Sequence, residues 1–103
     1  MIIRQGNTYR MPVKLTMGGQ TITDGNVKTV EFVFGGIKKC YPEQARFEND
    51  CFIVSLSQED TFSLTAKTTC VCQTRVLFTD GTVKGTDPIE INVGISVSKD
   101  VLT

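Results

Sequence analysis

Residues 89–97 read Ile89-Glu90-Ile91-Asn92-Val93-Gly94-Ile95-Ser96-Val97. Five aliphatic side chains alternate with Glu, Asn, Gly and Ser along the whole stretch. Successive side chains on an extended strand point to opposite faces, so this run predicts a strand with one face buried and one wet. The same period of two recurs upstream. Met11, Val13 and Leu15 share a face, opposite Arg10, Lys14 and Thr16. Val30, Phe32 and Phe34 oppose Thr29 and Glu31, and Phe52, Val54 and Leu56 oppose Cys51, Ile53 and Ser55.

Composition points the same way. The chain holds 14 Thr, 11 Val and 8 Ile, against 5 Leu and 2 Ala. β-branched side chains fit a pleated strand and crowd a helix. Turn residues separate the runs. Met17-Gly18-Gly19-Gln20 and Thr23-Asp24-Gly25-Asn26 bracket a short strand around Ile22, and Gly35-Gly36, Glu48-Asn49-Asp50 and Thr86-Asp87-Pro88 mark further turns. Asp80-Gly81 tolerates positive φ and predicts a tight hairpin. About seven strands at this spacing predict an antiparallel sandwich. One segment differs: Ser57 stands three residues before Asp60, a helix N-cap pattern, which predicts one helical turn near 57–62. The tail Ser98-Lys99-Asp100-Val101-Leu102-Thr103 leaves the β pattern, and fraying, a helix start and a lead into a partner all remain open for it. At 103 residues the chain is one domain, 1–103, large enough for one core.

Charge narrows the partners. Lys+Arg and Asp+Glu are both 11, so no basic excess points to nucleic acid or to an anionic membrane. No apolar run approaches the roughly 18 residues a membrane helix needs, and the first ten residues lack a secretory pattern. The expected location is therefore the cytoplasm, where disulfides are disfavoured. Histidine and tryptophan are absent, which removes the commonest general base, a common metal ligand and the strongest stacking platform.

Four cysteines are the conspicuous chemistry. Cys70 and Cys72, at i and i+2 of a predicted strand, share the more apolar face with Thr74, Val76 and Phe78, where a thiol packs as a small hydrophobe. A zinc site needs about four ligands, and Cys40 and Cys51 complete one only if the fold gathers all four. Cys40 and Cys51 face each other across an expected 37–55 hairpin, where an oxidised pair and two free thiols are both open, with free thiols favoured in a reducing compartment. The adjacent carboxylates Glu59 and Asp60 read as helix-start charge rather than an acid–base pair. Asp24 and Asn26 read as a turn, because a calcium loop needs more carboxylates. Lys38, Lys39 and Tyr41 read as a solvated hairpin face. No catalytic, cofactor or metal site is expected.

In order along the chain, Ile3-Arg4-Gln5-Gly6-Asn7-Thr8, Leu56-Ser57-Gln58-Glu59-Asp60-Thr61, and Ile91-Asn92-Val93-Gly94 followed by Ser98-Lys99-Asp100-Val101 resemble a family of small phage and prophage structural proteins. The named relatives are the N-terminal domains of phage baseplate upper proteins. The resemblance implies an immunoglobulin-like sandwich, no catalysis, a place in the virion after assembly in the host cytoplasm, and other tail or baseplate proteins or further copies of the chain as partners. Its cysteines depart from that family, and the sequence given stops at Thr103, where a baseplate upper protein continues into further regions. An alternative reading is a carbohydrate- or ligand-binding adhesion module, which the shortage of exposed-type aromatics weakens. Outward apolar residues Val33, Ile53 and Leu77 are the candidate contact surface, and the strands around Ile22 and Val83 are the expected edges.

Overall fold

A computed structural model describes residues 2–103. Its elements run β1 Ile2–Arg4, β2 Tyr9–Val13, β3 Thr16–Met17, β4 Gln20–Thr21, β5 Val27–Phe34, β6 Ile37–Tyr41, β7 Ala45–Glu48, β8 Cys51–Leu56, α1 Gln58–Phe62, β9 Thr69–Phe78, β10 Val83–Gly85 and β11 Ile89–Gly94. The larger sheet has the order β1-β11-β9-β5-β6, and β10 also pairs with β9. The smaller sheet has the order β2-β8-β7, and β3 and β4 form a separate hairpin.

The fold is all-β, as the alternation dictates. Two details differ from expectation. Among the described residues there are eleven strands rather than about seven, because the turns at 18–19 and 80–81 each generate strands of two or three residues. The pairing is mixed rather than purely antiparallel, since β1 runs parallel to β11 with Ile3 opposite Val93. Three residues are too few to display an alternation, so β1 left no periodic signal.

Alternation builds one core between the sheets. Val30, Phe32 and Phe34 of β5, Cys70, Cys72 and Val76 of β9, and Ile91 and Val93 of β11 meet Phe52, Val54 and Leu56 of β8. Phe52 is the centre of an aromatic group, with its ring 6.0 Å from Phe32, 5.2 Å from Tyr41 and 4.9 Å from Phe47. Phe32 lies on the larger sheet and Phe52 on the smaller, so this contact spans the layers.

Turn chemistry sets register. Gly18 and Gly19 hold φ of 58° and 79°, and Asn49 and Asp50 hold 52° and 61°. Two successive positive φ values suit the twist of a two-residue hairpin. They fix Met17 opposite Gln20 and Glu48 opposite Cys51. The capping signal at Ser57 also forms: its Oγ accepts from the Asp60 amide at 3.1 Å, and an Asp60 carboxylate oxygen accepts from the Ser57 amide at 2.8 Å.

Three local expectations change. Residues 37–55 are not one hairpin, because β6 belongs to the larger sheet and β7–β8 to the smaller. Ile22 is not an edge-strand residue; it follows β4 and is buried, its amide bonded to the Leu15 carbonyl. The 89–97 run stops as a strand at Gly94, leaving Ile95 and Val97 41% and 96% exposed. Pairing with β9 ends at Asn92–Thr69 and pairing with β1 at Gly94–Arg4. Beyond that point no strand among the described residues flanks the chain, and alternation alone does not supply one.

Candidate functional site

The core has two dissimilar margins. At one of them, the loop after β1 meets α1. Gln5 is buried; its side-chain amide donates to the Leu64 carbonyl at 2.7 Å, and its Oε1 accepts from Lys99 Nζ at 2.6 Å and from the Ser96 amide at 3.4 Å. The Gly6 amide donates to Thr61 Oγ1 at 2.9 Å, and that hydroxyl donates to the Asn7 carbonyl at 2.9 Å. Thr61 is wholly buried. Gly6 has φ of 82°, and a Cβ there would stand 2.8 Å from the tip of the Phe62 ring, so glycine alone fits. Among the described residues, no buried side-chain nitrogen or oxygen lacks a hydrogen-bond partner.

Asp60 anchors this end electrostatically. Partial burial raises its pKa, but the Ser57 amide and the Lys39 ammonium, 3.0 Å away, lower it further, and the net shift is downward. Lys39 is therefore not the freely solvated side chain that its sequence neighbours imply. The tail also docks here. The Gln58 side chain donates to the Leu102 carbonyl and accepts from the Leu102 amide, both at 2.8 Å. The tail neither frays nor starts a helix; it is tied back across α1.

A second region, over the middle of β9, is open and apolar. A cleft of about 480 Å³ lies between the smaller sheet's edge strand β2 and the larger sheet. Met11, Val13 and Leu15 form one wall, Phe32, Phe34 and Cys72 the floor, and Ile89 and Ile91 the other wall. Gln73, Thr74, Thr86 and Asp87 contribute the polar part of its lining. Ile89 is 59% exposed although its strand partner Cys72 faces the core, because it borders the open cleft. The volume falls in the range of ligand and peptide-anchor sites, roughly 300–1,000 Å³.

The cysteines resolve into packing and surface. The Cys70 and Cys72 sulfurs lie 3.8 Å apart within the core. Burial pushes the Cys72 thiol up to about 12, and the neighbouring Cys70 adds to it, so it stays protonated and unreactive. Cys40 and Cys51 are free and half-buried, on different sheets, with Glu31 and Glu48 as their strand partners. No group of three or more Cys, Asp or Glu among the described residues is placed to hold a metal ion. Asp24 and Asn26 sit in a turn, where Asn26 Oδ1 accepts from the Thr23 amide at 3.1 Å.

The expected contact residues do not gather. Val33 and Leu77 are half-buried and separated by the Glu31–Arg75 ion pair at 3.0 Å; Val33 reaches the rim of the cleft, whereas Leu77 does not line it. Ile53 is only 6% exposed and lies on the smaller sheet, between Pro12 and Arg46. Side chains on both flanking strands shield it, so it offers no contact surface. Val83 does lie on an edge strand, β10, which is exposed throughout. The cleft has no signature in the sequence. Met11, Val13, Leu15, Ile89 and Ile91 alternate as one-sided strand residues do, and nothing in the pattern tells a closed core edge from an open one.

No protein-family model, no curated protein and no solved structure matches this chain.

Proposed function

We propose that the chain is a non-catalytic interaction module of a phage or prophage tail or baseplate, built as an immunoglobulin-like sandwich. Two sheets that share one core support the sandwich reading, with β1-β11-β9-β5-β6 in one and β2-β8-β7 in the other. The ordered phrases that resemble phage structural domains support the setting. They are also neighbours in space, since Gln5 and Gly6 bind the α1 region through Leu64 and Thr61.

The observation that carries the interaction reading is the open cleft. A domain with its core exposed along one side keeps apolar surface in water, and such surface marks a contact site. The cleft lacks what a sugar site uses. Its aromatics, Phe32 and Phe34, are buried in the floor and present no open ring face.

Size-exclusion chromatography with light scattering, at several concentrations and with reductant, tests this reading, together with pull-down of other tail proteins from the same phage. Defined assembly, with itself or with a tail protein, is the expected result. Binding to a glycan array without any protein assembly would overturn it in favour of an adhesion module.

A further inference from the structure

We infer that the cleft is the acceptor for the 95–101 segment of a second copy of this chain. The inference rests on the assembly reading and names the partner. Ile95, Val97 and Val101 keep strand periodicity with Ser96, Ser98 and Asp100, yet no strand flanks them in the structure. Val97 is 96% exposed, and polar contacts at Lys99 and Leu102 hold the segment in place. A segment written as a strand therefore lies outside any sheet. Near the other end of β11, the wall formed by Ile89 is apolar and exposed, and β1 pairs only with Asn92–Gly94.

The two features fit each other residue by residue. An incoming strand antiparallel to β11 that sets Val97 opposite Ile89 also sets Lys99 opposite Asp87. Ile95 then falls at the Ile91 end of the cleft. Directly opposed residues share a face, so the apolar side chains enter the cleft and the ammonium meets the carboxylate on its rim. Ser96 and Ser98 take the outward face. Among the described residues neither Lys99 nor Asp87 has an ion-pair partner, so no ion pair is lost, whereas the bonds from Lys99 and Ser96 to Gln5 Oε1 must give way when the segment leaves its own chain. Donor segment and acceptor cleft are different surfaces of one chain, so the contact is head-to-tail and extends to a ring or a filament.

Two single substitutions test it. Ile89→Lys blocks the acceptor and Val97→Lys blocks the donor, and both side chains are exposed, so thermal melting should match the wild type. The wild type should grow in mass with concentration. Each variant alone should stay at the mass of one chain, with association weakened about tenfold or more. An equimolar mixture should form a dimer and stop there, since each variant keeps the half the other lacks. Independently, Asp87→Lys and Lys99→Asp should each weaken association, and the doubly substituted chain should recover it.

A wild type that associates equally with either substitution would overturn the inference and leave the assembly reading on another surface. A mixture that fails to dimerise would overturn it as well. So would a wild type at the mass of one chain at every concentration, and capture of another tail protein would then decide the assembly reading by itself.

Discussion

Two margins of the core solve the same problem in opposite ways. Around Gln5, Gly6 and Thr61 the chain closes its core with hydrogen bonds, and every buried polar side chain there has a partner. Around Ile89 and Met11 the core is left open, lined by aliphatic groups and without a strand to cover it. Hydrogen bonds close an end only when each donor meets an acceptor, because an orphan costs about 1–3 kcal/mol. An apolar end has no such demand. It stays open at a cost proportional to its area and regains that cost when something covers it. A closed polar end is therefore specific to this chain, whereas an open apolar end is available to a partner.

The largest effect should come from the core that both ends share. Phe52→Ala removes the ring at the centre of the aromatic group and should cost about 3–5 kcal/mol by urea unfolding. The closed end comes next. Thr61→Val keeps the volume but leaves the Gly6 amide and the Asn7 carbonyl unpaired, so a loss of about 1–3 kcal/mol is expected. A loss below about 0.5 kcal/mol would mean that water closes this end as well as the hydroxyl does.

Asp60→Ala keeps the Ser57 cap but removes the carboxylate that accepts from the Ser57 amide and pairs with Lys39, and it should cost about 1 kcal/mol. The folded-state pKa of Asp60 is depressed below its ordinary 3.8. Its contribution is present above that value and is lost as pH falls through the folded pKa. The stability difference between wild type and Asp60→Ala should therefore shrink as pH is lowered below about 4. A difference that stays constant down to pH 2 would contradict the charge-based account.

Alkylation gives a kinetic contrast. At pH 8 iodoacetamide should modify Cys40 and Cys51 first, and Cys70 and Cys72 only after denaturant is added, as mass spectrometry can follow. Rapid native labelling of Cys72, which forms part of the cleft floor, would mean that the open end breathes more deeply than its packing implies. The smallest effect on stability is expected at Ile89→Lys, within about 0.5 kcal/mol, because that side chain already faces water.

The sequence was most legible where a pattern had one physical cause. Alternation at Val30–Phe34 and Phe52–Leu56 reports burial directly, and these residues form the core. Ser57 and Asp60 announce a helix start because few other arrangements use both groups. Legibility failed where the outcome depends on a distant neighbour. Ile53 alternates as an outward residue, yet Pro12 and Arg46 on the adjoining strands shield it. Ile95 and Val97 carry strand chemistry, but a strand also needs a partner at the right height, and β9 ends its pairing at Thr69. Gln5 gave no sign of its role, because a single Gln is ordinary until the Leu64 carbonyl and Lys99 converge on it. The cleft was illegible for the same reason: its residues alternate as core residues do, and only the packing of the two sheets reveals that the core is open there.

The most direct test is amide hydrogen exchange on the full chain, compared between dilute and concentrated solution. The account predicts that protection rises on association at Ile89–Ile91, in β2 and across residues 95–101, and stays constant in α1. Protection gained instead on the outer face of the larger sheet, around Thr29, Arg75 and Leu77, with the cleft unchanged, would contradict it.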